Sequence, residues 1–142
     1  MSDDKTFDLL RDGEVAEQIS VRFERDGQRS ILTVLSGPRA GQIFEGNDDF
    51  RSFNKLRDSL ATDGLFPACK GALLYVWPSG MSADMTFGRV AYALRIDDYS
   101  SPPPTVRVFD PLDESDDVTD LTTPDAQLNY RRAVFERPPK PD

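Results

Sequence analysis

Two predicted strands flank the dipeptide Asp26-Gly27. Residues 18–24 alternate, with Ile19, Val21 and Phe23 on one face, and this side-chain period of two predicts a half-buried strand. Residues 31–35 are predicted to be the return strand. Asp-Gly between two such segments is typical of a two-residue hairpin turn. A second turn over residues 36–41 leads into a further short strand over residues 42–45. The sequence therefore predicts a three-stranded antiparallel meander near its start.

A helix is predicted over residues 48–62, directly after the meander. Asn47 or Asp48 is suited to cap it, because a short polar side chain accepts a hydrogen bond from a free backbone amide of the first turn. Asp63-Gly64 is suited to end it, since glycine adopts the left-handed conformation found after many helices. The apolar residues recur at helical spacing in one stripe, which we expect to pack on the sheet; the stripe comprises Phe50, Phe53, Leu56 and Leu60.

The second half of the chain alternates strand and helix signals. Residues 72–77 are almost continuously apolar, which predicts a central, buried strand, and Pro78-Ser79-Gly80 interrupts it. A helical turn is predicted over residues 82–87, and further strands over residues 90–96 and 105–109.

These elements predict an α+β fold. It consists of a mostly antiparallel sheet of five to six strands, one central helix over about residues 48–62, and a C-terminal helix over about residues 125–136. Residues 1–14 are predicted to form a loose N-terminal arm and residues 15–136 a single domain. The proline-rich residues 137–142 are predicted to be a disordered tail.

The residue types present exclude several kinds of catalytic site. The chain has no histidine, which excludes Ser-His-Asp and Cys-His mechanisms and histidine metal ligands. Its one cysteine, Cys69, cannot form an internal disulfide and is predicted to be a buried structural thiol. We predict no cofactor, no metal and no catalytic activity, and an enzyme that uses carboxylates or a divalent cation remains an alternative.

The distribution of charge points to a protein partner. The net charge is −8, and residues 97–125 hold nine acids against one base, a difference that equals the charge of the whole chain. An acidic surface repels nucleic acid and attracts basic proteins. No apolar run approaches the roughly 20 residues of a membrane-spanning helix, and residues 1–5 lack the apolar core of a signal peptide. We therefore expect a cytoplasmic protein that binds neither nucleic acid nor membrane.

The central region resembles a family of small bacterial proteins encoded beside Rhs-type and other polymorphic toxin genes, which are presumed to be immunity proteins. The resemblance spans about residues 44–136. Its most specific part is Pro78-Ser79-Gly80-Met81-Ser82, and Trp77 stands where the family has tyrosine. The other matching residues are Phe50, Phe53, Leu56, Arg57, Leu60, Gly64, Cys69, Gly71, Ala72, Val76, Met85, Gly88, Ala91, Tyr92, Leu94, Val106, Val108, Phe109, Asp110, Pro111 and the segment 123–130 with Gln127.

The resemblance implies a non-catalytic immunity protein that binds and neutralises a toxin domain. An acidic inhibitor suits a toxin with a basic cleft, so we predict that the binding surface includes Asp113, Glu114, Asp116, Asp117 and Asp120, with Trp77 and Met81 as an apolar anchor. A solvated acidic loop, and core positions for Trp77 and Met81, remain the alternatives. A secretion adaptor or chaperone is the alternative function, and the oligomeric state is left open.

Overall fold

Five strands form the larger of two sheets in the computed structural model, which describes residues 3–141 with the side chain of Ser82 excepted. The strands lie in the order β4-β3-β2-β1-β5, and every neighbouring pair is antiparallel. The meander β2-β3-β4 is the one that the sequence predicts. The strands are β1 (Asp3–Arg11), β2 (Glu14–Asp26), β3 (Arg29–Ser36), β4 (Ile43–Gly46) and β5 (Phe66–Pro67).

Strand β1 replaces most of the loose arm that was expected over residues 1–14. It pairs with β2 from Asp3 to Arg11 and buries Phe7, Leu9 and Leu10. The turn between the two strands is Asp12-Gly13, in which both residues have positive φ angles of 54° and 81°. This is the same Asp-Gly hairpin signal as at Asp26-Gly27. Met1 and Ser2 lie outside the described residues.

Helix α1 (Asp49–Ala61) confirms the predicted central helix. Asp48 is its N-cap, and its Oδ1 accepts a hydrogen bond of 2.9 Å from the backbone N–H of Arg51. The predicted apolar stripe is fully buried. Phe53, Leu56 and Leu60 pack in one cluster with the inward side chains of the larger sheet.

A second sheet contains three short antiparallel strands in the order β6-β7-β8. They are β6 (Val76–Trp77), β7 (Val90–Ala93) and β8 (Thr105–Arg107), and helix α2 (Gly80–Thr86) connects the first two. The α+β class is as predicted, but the strands divide between two sheets. Phe109 and Leu121 pack against the hydrophobic clusters of both sheets.

The apolar run over residues 72–77 is buried, but it is not a central strand. Only Val76 and Trp77 are extended in a sheet, and β6 lies at the edge of that sheet. The preceding residues, Lys70–Ala72, form a 3₁₀ turn. The hydrogen bonding accounts for this: the side-chain amide of Gln127 donates to the carbonyls of Gly71, Leu73 and Val76, whereas the carbonyl of Tyr75 accepts from the backbone N–H of Leu94, directly after β7.

Helix α3 (Pro124–Glu136) confirms the predicted C-terminal helix. Thr123 caps it through a 3.2 Å hydrogen bond from the backbone N–H of Ala126 to Oγ1. Of the tail predicted to be disordered over residues 137–142, Asp142 lies outside the described residues. Arg137 donates hydrogen bonds to the backbone carbonyls of residues 95, 96 and 98.

Candidate interaction surface

All five predicted acidic binding residues lie in one segment, residues 113–120, which we call the acidic loop. Lys70 holds this loop from the neighbouring 3₁₀ turn. Its Nζ donates hydrogen bonds to Asp113 Oδ2 at 2.7 Å and to Asp116 Oδ2 at 2.5 Å. The side chain of Asp116 is only 5% exposed, so this ion pair is largely shielded from water and strengthened by that shielding.

The acidic loop also bonds to itself. Asp113 Oδ1 accepts from the backbone N–H and the hydroxyl of Ser115, and Asp117 Oδ1 accepts in the same way from Thr119. The backbone N–H of Asp113 donates to Asp116 Oδ2. Three carboxylates, those of Asp113, Asp116 and Asp117, thus stabilise the turns of the loop, so the segment has a defined conformation in the free protein.

These hydrogen bonds favour the ionised carboxylates. The Lys70 ammonium, followed by the two bonds from Ser115, holds the pKa of Asp113 far below its usual range. The backbone N–H and then the hydroxyl of Thr119 lower the pKa of Asp117. Donors that bond to the charged form stabilise it relative to the neutral form. Both groups therefore carry a full negative charge at neutral pH.

A turn of the larger sheet extends the surface around the loop. Val118 is 40% exposed, and an open depression beside it is lined by Leu10, Asp12, Phe66 and Leu121. Asp12 therefore adds a carboxylate that the sequence prediction missed. The Asp12-Gly13 hairpin signal could have placed it at a turn, but nothing in the sequence brings that turn to residue 118.

Trp77 lies in a separate feature, which we call the aromatic cleft. The cleft runs between helix α3 and the second sheet, and its aromatic lining is Tyr75, Trp77, Tyr92, Tyr130 and Phe135. The free space within it is about 20 Å³, roughly enough for one water molecule. Trp77 also packs edge-on against Phe50 with ring centroids 5.1 Å apart, so it serves both the core and the cleft wall.

The backbone joins the aromatic cleft to the acidic loop. The N–H of Leu74, which lines the cleft, donates to the carbonyl of Asp120 at 2.8 Å. The next residue, Tyr75, is close enough to Asp116 and Asp120 that their charges add to burial, the larger cause, in raising its pKa. Six of the seven predicted residues are thus part of neighbouring features.

Met81 is the exception among the predicted binding residues. It lies on α2 and is 73% exposed, but it does not line the aromatic cleft. Met85, one helical turn later, is 79% exposed. The two residues form a small apolar patch of their own, since side chains four apart share a helix face.

A buried polar network positions both features from within the core. Arg57 donates from Nη1 to Gln127 Oε1 at 2.8 Å and from Nη2 to the carbonyl of Thr122 at 2.7 Å. Gln127 Nε2 donates to the carbonyls of Gly71, Leu73 and Val76. Helices α1 and α3 and the segment next to Lys70 are thereby connected. Burial lowers the pKa of Arg57 to about 10, which leaves it charged at neutral pH.

Two kinds of feature are absent from the part of the chain that the structure describes. Among residues 3–141, no three or more His, Cys, Asp or Glu side chains are grouped so that they could hold a metal ion. In the same range, no helix has the length and apolar character needed to cross a lipid bilayer.

Comparisons with known proteins assign neither a family nor a function to the chain. No protein-family model matches the chain, and a search of curated proteins finds no match.

Proposed function

We propose that this protein is a non-catalytic binding protein that neutralises a toxin domain with a basic surface, as an immunity protein does. The observation that supports this most directly is the clamp of Lys70 on Asp113 and Asp116. A loop that is ordered before binding loses less conformational entropy when a partner docks. The acidic loop therefore offers a prepared surface for fast and tight association.

The charge of the loop favours a basic partner. Glu114 and Asp117 are exposed, and Asp113 and Asp120 contribute charge beside them. Like-charged groups on one surface steer an oppositely charged protein during diffusion and raise the association rate constant. Toxins that act on nucleic acid need a cationic surface for the phosphate backbone, and an acidic inhibitor is complementary to such a surface.

The resemblance of residues 78–82 and the other matching positions to presumed immunity proteins supports the same role. It implies a toxin domain encoded by a neighbouring gene as the partner, and the cytoplasm as the place of action. The matching positions on α1 and α3 are core residues such as Phe53, Arg57 and Gln127, so the resemblance concerns the fold, and the acidic loop would supply the specificity.

Co-expression with the product of a neighbouring toxin gene, which the resemblance implies, tests the role. We expect restored growth and a stable complex that co-purifies with the toxin domain. A complex that leaves the toxin active would contradict neutralisation and would favour the secretion-adaptor alternative. Failure to form any complex would overturn the proposal for that toxin.

Association kinetics test the surface. The triple variant Glu114→Gln/Asp117→Asn/Asp120→Asn should lower the association rate constant by about tenfold or more at low salt. The difference should shrink as salt is raised, because the Debye length falls from about 30 Å at 0.01 M to about 3 Å at 1 M.

A matched control variant separates the effect of the acidic-loop charge on the association rate constant from the effect of the net charge. Glu17→Gln/Glu24→Gln/Glu45→Gln removes the same charge from exposed positions on the larger sheet. It should leave the association rate constant within about twofold of wild type. Equal slowing by both triple variants would show that net charge, and not the acidic loop, guides binding.

A further inference from the structure

The aromatic cleft has the chemistry of a cation-binding site. Its lining contributes five aromatic rings, whose faces carry partial negative charge and attract guanidinium and ammonium groups. Trp77, Tyr92 and Tyr130 are only partly buried, so part of this aromatic lining is accessible to a ligand.

Two arginines of the chain itself already use these rings. The guanidinium carbon of Arg95 lies 3.8 Å from the ring centroid of Tyr75, and that of Arg131 lies 5.2 Å from the ring centroid of Phe135. Arg131 is also fixed by a 2.6 Å hydrogen bond from Nη1 to the carbonyl of Pro78. Arg95 is exposed and is held by stacking, so it is the more easily displaced of the two.

The acidic loop meets the cleft lining beside the ring on which Arg95 stacks. The backbone N–H of Leu74 donates to the carbonyl of Asp120 at 2.8 Å, and the next residue is Tyr75, whose ring carries the Arg95 guanidinium. A guanidinium on this ring would therefore have aromatic contact on one side and carboxylates nearby. Such a position suits a cation better than an aromatic ring or a carboxylate alone would.

We infer that the Tyr75 end of the aromatic cleft and the acidic loop form one composite site for an arginine side chain of the partner, and that Arg95 occupies this site in the free protein. An incoming arginine exchanges with Arg95, which swings into solvent. This inference adds to the proposed function the group that is recognised, an arginine side chain of the partner. It rests on the proposed function only for the statement that the partner is a basic protein.

The single tryptophan provides the readout. Trp77 is the only Trp in the chain and lies in the cleft wall, so all tryptophan fluorescence comes from one residue that lines the cleft. The probe is the tryptophan-free peptide acetyl-Arg-Gly-Arg-Gly-Arg-amide. The control probe has citrulline at the three arginine positions, which keeps the shape and removes the charge. We expect a saturable fluorescence change with the arginine peptide and none with the citrulline peptide.

Arg95→Ala is the most informative variant, because it should strengthen peptide binding, whereas a loss of structure in the cleft would weaken it. Removing the internal competitor should lower the dissociation constant of the arginine peptide roughly two- to fivefold, the range expected for one exposed cation–π contact. Arg132→Ala removes the same charge from an exposed position on α3 and should have a smaller effect. Asp120→Asn should weaken binding, since it removes the carboxylate of the acidic-loop residue that is hydrogen-bonded to Leu74, next to Tyr75.

Three results would overturn the inference. They are the absence of a saturable change with the arginine peptide, an equal change with the citrulline peptide, and equal effects of Arg95→Ala and Arg132→Ala. None of these measurements uses a toxin domain, so failure here would leave the proposed neutralisation standing. Failure of toxin rescue would likewise leave peptide binding intact.

Discussion

Arg57 donates a hydrogen bond of 2.8 Å from Nη1 to Oε1 of Gln127, 70 residues further along the chain. Both side chains are almost fully buried, with exposures of 2% and 1%. The short hydrogen bonds of Arg57 go to uncharged oxygens of Asn54, Gln127 and Thr122. A buried cation stabilised by neutral groups is costly unless the geometry is fixed. The pair therefore specifies how α1 and α3 meet.

Gln127→Ala should be one of the most destabilising single substitutions in this protein. It removes the amide donor to the carbonyls of Gly71, Leu73 and Val76 and one of the acceptors of Arg57, which keeps its bonds to Asn54 and Thr122. Each unsatisfied buried group costs about 1–3 kcal/mol, and partial relaxation reduces the sum. We expect the free energy of unfolding in urea to fall by about 3–4 kcal/mol.

Asn129→Ala is the control on the same helix, because Asn129 is exposed. It should change the free energy of unfolding by no more than about 0.5 kcal/mol. A loss below about 1 kcal/mol for Gln127→Ala would show that water or backbone rearrangement satisfies the same groups.

Lys70→Met should raise the pKa of Asp113. The Lys70 ammonium is the main cause of the lowered pKa, and the two bonds from Ser115 remain in the variant. The pKa should therefore rise towards the ordinary value of about 3.9 without reaching it. A carbon-detected NMR titration of the Asp113 carboxyl measures this directly. Lys55→Met, an exposed change on α1, should leave the titration unaltered.

The same pKa predicts how stability responds to acid. Because folding lowers the pKa of Asp113, its contribution to stability is complete above the unfolded value of about 3.9 and is lost as the pH falls towards the folded value. Wild-type protein should lose stability below about pH 4, and Lys70→Met should lose less over that window. Identical acid profiles for the two proteins would argue against the clamp.

Gly71→Ala and Gly80→Ala should differ in their effects. A Cβ on Gly71 would lie 2.8 Å from Val108 Cβ and 2.9 Å from its carbonyl oxygen, whereas a Cβ on Gly80 meets nothing within 4 Å. The first substitution overpacks a buried contact and should cost about 1–3 kcal/mol. The second lies at the start of α2 and should be neutral or slightly stabilising. Chemical denaturation of both variants checks the pair.

The sequence predicted elements whose signals are local. Helix α1 has its cap and its apolar stripe within 15 residues, and the hairpin at Asp26-Gly27 has both strands beside its turn. The acidic loop was likewise visible from composition. Strand β1 was missed even though its turn, Asp12-Gly13, carries the same signal, because residues 3–11 show a less regular alternation.

Features that depend on distant residues could not be predicted. Three carbonyls within residues 71–76 bond to Gln127, more than 50 residues away, and nothing in the apolar run itself indicates those bonds. Lys70 lies 43 residues before Asp113, and neither residue type nor spacing shows that they meet. The aromatic cleft joins residues from β6, β7 and α3 in the same way.

Cys69 should be unreactive in the native protein and should report on opening of the core. It is fully buried, so a reagent cannot reach the sulfur. Burial also raises the pKa of its thiol to about 11, so very little of the reactive thiolate is present at pH 8. We expect no reaction with a disulfide reagent within minutes in buffer, and labelling of one thiol per chain in denaturant.

The labelling rate of Cys69 also measures how often the core opens. When opening is fast compared with labelling, the labelling rate follows the open population. A loss of about 3 kcal/mol in Gln127→Ala should then accelerate labelling by about two powers of ten, and Asn129→Ala should label as slowly as wild type. Immediate labelling of the wild-type protein would contradict the packing of Cys69 beneath α1.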